Sequence, residues 1–237
     1  MKLPYSERLR VTASLVPACA AAADIGCDHG YLGIRLLLQN RCRHVICSDL
    51  RPGPLSSAEE NARRFGVHEE MTFVCADGLS GIRPGSAEVL IFAGMGGDLI
   101  RLLLDAAPWV KDPGLTLVLQ PQSGVPDLRE YLAAEGFRIF REVPLVDAGF
   151  LYAAMQVRFT GEKSVLSPGR RYVSEAMLRE RNEAVLPYLD RMLRSAERSA
   201  ESLRRTDSAP ERLRLFEETA RELQQMRDDY VNSSEHS

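Results

Sequence analysis

Lysine is scarce in this chain. Only Lys2, Lys111 and Lys163 are present, so nearly all of the 30 basic residues are arginine, and 33 acidic residues bring the formal net charge to -3. That balance excludes a protein held on nucleic acid by bulk positive charge. Arginine's planar fork suits phosphate and stacks on bases, but a GC-rich coding sequence produces the same bias. Long apolar runs are also missing. No stretch is long enough to span a bilayer and no cleavable apolar leader opens the chain, so a cytoplasmic protein with no membrane partner is expected. The five cysteines are odd in number and form no C-x-x-C pair. Cys42, His44 and Cys47 lie close together, yet a structural metal needs four convergent ligands and there is no second cluster. No metal is expected, and the thiols read as reduced.

What is present is an ordinary globular composition, 45% hydrophobic and 27% charged, over 237 residues. That suffices for one α/β core and a small appendage. Apolar runs ending at Asp24, Asp49, Asp77, Ala93 and Gln120 read as strands. Helical patterns at Ser6–Val16, Tyr31–Gln39, Leu55–Phe65, Asp98–Ala106 and Pro126–Glu135 precede or separate them, with Gly66 and Gly136 placed as left-handed caps. Two closing strands, Arg138–Val146 and Phe150–Phe159, are joined by Asp147-Ala148-Gly149. That link is too short for a crossover, so they should pair antiparallel. The fold class is therefore α/β and Rossmann-like: a seven-stranded, mostly parallel sheet with one reversed strand.

Composition shifts after Phe159, which divides the chain into 1–160 and 161–237. Gly161–Gly169 reads as a linker containing Pro168. Beyond it, Val173, Met177, Val185, Leu189, Met192, Ala196 and Leu203 keep near-helical spacing, with a kink expected at Pro187. After a turn at Thr206–Pro210, Leu213, Phe216, Ala220, Leu223 and Tyr230 form a second stripe. Two stripes joined by a turn read as a helical hairpin or coiled-coil domain. With 14 basic and 15 acidic residues, segment 161–237 is nearly neutral. A packing or dimerising coiled coil and an arm gripping RNA both remain open, as do a monomer and a weak homodimer.

The most informative segment is Ala23-Asp24-Ile25-Gly26-Cys27-Asp28-His29-Gly30-Tyr31. A strand ends in an acid, turns through glycines and opens a helix, so backbone N–H groups and a helix N-terminus can approach a ligand. Asp49 at the next strand tip is placed to bind a ribose diol. Asp77-Gly78 and Gly94-Met95-Gly96-Gly97 end the third and fourth strands, where ligands of open α/β sheets gather. This layout, with its reversed last strand, is similar to that of class I methyltransferases using S-adenosyl-L-methionine. For such a cofactor the turn Gly26-Cys27-Asp28-His29-Gly30 would pass beneath the methionine portion. Asp24 stands at its base, and Asp49 with Leu50 lies at the ribose. Asp77, Gly78 and Leu79 would take the adenine, and Ala93, Gly94 and Met95 the ammonium.

Across nearly its whole length the chain resembles the bacterial tRNA (adenine-22-N1)-methyltransferase family. The resemblance rests on Asp24–Leu32, Gly53-Pro54, Asp77-Gly78-Leu79, Ala93–Gly97 and Leu117-Val118-Leu119-Gln120-Pro121. It implies S-adenosyl-L-methionine as cofactor, tRNA as partner and methylation of adenine N1 at position 22. Asp28, His29 and Tyr31 become the catalytic candidates, and Tyr31, Gly94, Met95, Gly96, Gly97, Gln120 and Pro121 the substrate-binding ones. The Asp/Asn-Pro-Pro-aromatic clamp of many N6-adenine and glutamine methyltransferases is not at Gly94–Gly97. Alternatives are a methyltransferase for a small molecule or protein, and a non-catalytic cofactor- or RNA-binding module. A nicotinamide oxidoreductase fits poorly, because Gly26-x-x-x-Gly30 departs from G-x-G-x-x-G.

Overall fold

Residue alternation along the central strands decides the layering. In β4 (Val89–Gly96), Val89 and Ile91 pack on one face of the sheet and Leu90 and Phe92 on the other, all four fully buried. A strand buried on both faces needs a helix layer on each side. Helices α1 (Glu7–Ser14), α2 (Tyr31–Leu38) and α3 (Pro52–Phe65) cover the first face. Helices α4 (Gly97–Asp105) and α5 (Val125–Ala134) cover the second. The computed structural model describes residues 3–206 and 209–234.

The remaining strands are β1 (Cys19–Ile25), β2 (Cys42–Asp49), β3 (Met71–Cys75), β5 (Thr116–Ser123), β6 (Phe137–Asp147) and β7 (Phe150–Phe159). They form the expected seven-stranded sheet, ordered β3-β2-β1-β4-β5-β7-β6. Only β7 is reversed, pairing antiparallel with both β5 and β6. The carboxyl ends of β1, β2, β4 and β5 therefore meet at one edge, where the order switches direction between β1 and β4. Gly66 closes α3 in the left-handed conformation (φ 72°), as expected.

The C-terminal segment differs from expectation in two respects. The linker expected over Gly161–Gly169 ends sooner, at 167: Pro168 opens the short helix α6 (Pro168–Tyr172), followed by α7 (Glu175–Arg179). Pro187 does not kink its helix: α8 runs unbroken over Val185–Thr206. Pro187 falls in the first turn, where its missing N–H has no intrahelical partner to lose. Helix α9 (Pro210–Ser234) returns alongside α8. Of the expected turn between them, Asp207 and Ser208 lie outside the described residues. Two ion pairs join the helices of the hairpin, Arg204–Glu217 and Arg227–Asp190, both at 2.6 Å.

A third apolar cluster, including Val173, Met177, Val185, Leu189 and Leu223, also takes in Ala153 of β7. Beneath it lies a fully buried ion pair, Arg129 with Glu142 at 2.6 Å. Arg129 also donates to the carbonyls of Arg171 and Tyr172 and to the Tyr188 hydroxyl. One guanidinium thus ties α5, β6, α6 and α8 together.

Candidate functional site

At the carboxyl edge of the sheet lies a cleft of about 600 Å³. Its floor comes from the turn after β1. Gly26 and Cys27 donate their N–H groups to the Ser48 carbonyl, at 2.7 and 3.0 Å, which locks that turn to β2. Gly26 adopts φ +71°, and a Cβ there would meet the Met95 methyl at 2.5 Å. Asp28 also takes a left-handed conformation (φ 49°), which costs an L-residue energy and marks a site held by its surroundings. Gly30 caps α2 at φ 70°, and Asn61 of α3 donates to the His29 carbonyl at 3.1 Å.

Asp49 is the best oriented of the cleft's acids. Its Oδ2 accepts from the Asp28 N–H at 3.3 Å and its Oδ1 from the Arg51 N–H at 3.0 Å. Two backbone donors fix the carboxylate plane while leaving lone pairs for a diol. Asp24 is buried, and burial, followed by the nearby Asp49 charge, pushes its carboxyl up to about 7. Across the cleft, the Gly94 N–H donates to Gln120 Oε1 at 3.1 Å, and Gln120 Nε2 donates to the Pro121 carbonyl at 3.1 Å. Gly94 itself takes φ +78°.

The cleft brings together Asp24, Gly26, Cys27, Asp28, His29, Tyr31, Asp49, Ala93, Gly94, Met95 and Gln120. Asp28 and His29 are exposed at its mouth, with 3.7 Å between Asp28 Oδ2 and His29 Nε2, and the His29 and Tyr31 rings lie 5.9 Å apart. Other expected residues are elsewhere. Asp77 and Leu79 line a separate hollow with Trp109. Leu50 is exposed, and Gly78 sits under Leu103, which its Cβ would strike at 2.2 Å. Gly97 is an N-terminal helix residue pressed on backbone: a Cβ would lie 2.7 Å from the Gly124 carbonyl oxygen. Gly96 faces Ser123, and Pro121 pairs with Met95 across the β4–β5 ladder. His44, one of the dismissed metal candidates, pairs with Thr72 Oγ1 at 2.9 Å.

Several lining residues carry no local sequence signal: Pro4, Ser6, Arg8, Leu9, Arg51 and Gln122. Arg51 lies two residues beyond Asp49, past the exposed Leu50. The N-terminal segment is delivered by a contact 140 residues distant in sequence. Asp147, the last residue of β6, accepts from Ser6 Oγ (3.2 Å), the Glu7 N–H (3.0 Å) and Arg8 Nε (3.2 Å). Burial works against the Asp147 charge, but the Glu7, Arg8 and Ser6 donors outweigh it and hold the carboxyl below its ordinary range.

The donor set suits a cationic nucleoside. Three carboxylates, Asp24, Asp28 and Asp49, line the cleft, and Gly26 and Gly94 stand where side chains would fill the space. Asp24, Asp49 and the Ala93–Gly94 carbonyls can receive a diol and an ammonium group, so S-adenosyl-L-methionine fits the residues present. No group of three or more His, Cys, Asp or Glu able to hold a metal occurs among the described residues.

Comparison with known proteins gives a consistent result. Residues 5–155 match the family model described as "Methyltransferase domain". The chain is 32% identical over 154 residues to the tRNA (adenine(22)-N(1))-methyltransferase of Bacillus subtilis (strain 168), a match covering 65% of each protein. That span is just under two thirds of the relative's length. The crystal structure of the B. subtilis m1A22 tRNA methyltransferase superposes with a TM-score of 0.81 at 25% identity, over 95% of this chain and 100% of that one. A putative tRNA (m1A22) methyltransferase of Streptococcus pneumoniae, solved with S-adenosyl-L-methionine, gives 0.76 at 27% identity, over 92% and 100%.

Proposed function

Because the chain belongs to the methyltransferase-domain family, we propose that it transfers the methyl group of S-adenosyl-L-methionine to N1 of adenine 22 in tRNA. The observation that carries this reading is the acid-walled, glycine-floored cleft at the sheet edge, in a chain similar along almost all its length to the Bacillus m1A22 enzyme. The cofactor supplies an electrophilic methyl. Asp49 holds the ribose hydroxyls, kept in plane by the Asp28 and Arg51 N–H groups. Asp24 and the Ala93 and Gly94 carbonyls receive the cationic end. Asp77, Gly78 and Leu79 remain the proposed adenine contacts, with Asp77 and Leu79 reaching the cofactor from the separate hollow they line.

Adenine N1 carries its own lone pair, so no side chain has to create the nucleophile. The protein's contribution is placement. N1 lies on the pairing edge, so the base has to leave its stack at a cost of a few kcal/mol. Tyr31 offers a ring at the mouth on which the base can stack, and His29 lies beside it. Methylation leaves a cationic adenine, whose charge the exposed Asp28 carboxylate stabilises. Residues 1–160 carry this chemistry and 161–237 form a second unit. The protein works in the cytoplasm as a monomer or weak homodimer, and no described helix is long and apolar enough to cross a membrane.

The decisive experiment incubates the purified protein with bulk unmodified tRNA and labelled cofactor. The expected product nucleoside is 1-methyladenosine, with reverse transcription arresting at position 22. Cofactor binding without any methylated RNA, or a different methylated base, overturns the reading.

A further inference from the structure

The cofactor proposed for the cleft carries one anionic group, the carboxylate of its amino-acid end, and three of the cleft's side chains repel it: Asp24, Asp28 and Asp49. Two arginines line the same cleft. Arg51 stands at the Asp49 side, where its own N–H is bonded to that carboxylate. Arg8 stands on the opposite side, with Nη1 3.8 Å from the point a Cβ on Gly94 would occupy. The ammonium and carboxylate of an amino acid share one carbon, so whatever receives the ammonium at the Ala93 and Gly94 carbonyls has the carboxylate beside it.

We infer that Arg8 is the carboxylate anchor of this cleft, binding the amino-acid end of the cofactor through its Nη groups. This rests on the function proposed above. The side chain is set for that task. Its Nε is committed to Asp147 at 3.2 Å, and its guanidinium lies 5.3 Å from the Tyr152 ring centroid. Among the described residues Nη1 and Nη2 have no hydrogen-bond partner, and the side chain is 29% exposed. Arginine presents paired donors in a fork that matches a carboxylate. Gly94 leaves the approach open: a Cβ there would lie 3.2 Å from Gln122 Nε2 as well as facing Arg8. Asp147 is a positioning residue. By collecting Ser6, Glu7 and Arg8 onto one carboxylate, the end of β6 holds the start of α1 at the rim.

The alternative occupant of Arg8 is a tRNA phosphate, and one experiment separates the two. Calorimetry with the full chain compares S-adenosyl-L-methionine with its decarboxylated analogue, which keeps the sulfonium and ammonium and lacks only the carboxylate. Wild type is expected to prefer the intact cofactor by roughly 10- to 100-fold, the size of a charge-assisted contact. Arg8→Gln should bring that ratio close to one while leaving the affinity for the analogue within about twofold. The retained analogue binding shows that the variant is folded. Asp147→Asn should lower the ratio partway, with Arg8→Lys intermediate. An undiminished ratio in Arg8→Gln overturns the inference, and a selective loss of tRNA affinity in that variant assigns Arg8 to phosphate instead. If wild type binds neither compound, the function reading itself fails.

Discussion

Two regions of this protein bury charge, and they do so in opposite ways. Between the sheet and the C-terminal helices, Arg129 and Glu142 are completely enclosed and fully answered: the guanidinium meets both carboxylate oxygens, two carbonyls and a tyrosine hydroxyl. Burial opposes the Arg129 charge, and Glu142 more than offsets it, so the pKa is raised. At the sheet's carboxyl edge, Asp24 and Asp49 are buried next to each other, and Asp24 is forced up to about 7 by burial and by that neighbour. Charge satisfied within the chain is architecture. Charge gathered and left for something else to satisfy marks where a ligand of opposite sign belongs.

The contrast breaks most sharply at Arg129. Arg129→Ala should destabilise by about 3–5 kcal/mol, because it strands a buried carboxylate. Replacing both partners with apolar residues should recover most of the loss, read by chemical denaturation. A small effect of the single change would show that the junction tolerates open charge as the rim does.

Asp24→Asn should act in the other direction. A carboxyl whose pKa is higher folded than unfolded binds more protons in the folded state, so stability falls as pH rises from about 4 to 7. Removing the charge should therefore stabilise the ligand-free protein above pH 7, by on the order of 4 kcal/mol, with little change near pH 4. Melting curves across that range test it. Cofactor affinity should rise with pH through the same interval in wild type and lose that dependence in the variant.

Asp49→Ala should cost cofactor affinity about 1.5–3 kcal/mol, the loss of charge-assisted bonds to a diol, and separately about 1–3 kcal/mol of stability, because the Asp28 and Arg51 N–H groups lose their acceptor. Calorimetry paired with denaturation separates these effects. Gly97→Ala sharpens the boundary between site and scaffold. Its Cβ would press on the Ser123 and Gly124 carbonyl oxygens at 2.8 and 2.7 Å, so a loss of about 1–2 kcal/mol in stability is expected from overpacking. Unchanged affinity for cofactor would accompany it if Gly97 belongs to the scaffold.

Much of the fold was legible because apolar runs and their punctuation act locally. Asp147-Ala148-Gly149 can only turn a chain back, so the reversed strand follows from its length. Gly66 shows φ 72° because a glycine caps a helix at no steric cost. Pro187 misled because a proline's effect depends on its distance from the helix start, which composition does not reveal. Within the site, the turn from Asp24 to Tyr31 declared itself through its glycines and acids. Asp77-Gly78-Leu79 looked equivalent, yet Asp77 and Leu79 border a different hollow. Which strand tips share one opening depends on loop paths.

By itself the sequence determined the alternation of strands and helices, the acids at the strand tips, and the glycine turn beneath the cleft. Each follows from the chain's local stereochemistry and from the period of its apolar residues. Only the tertiary structure decided that Arg8 stands across the cleft from Asp49, that Asp147 brings it there, and that Arg129 and Glu142 close the junction. These are encounters between groups far apart in the chain. No local pattern encodes them, because they exist only once the sheet has closed and fixed which ends meet.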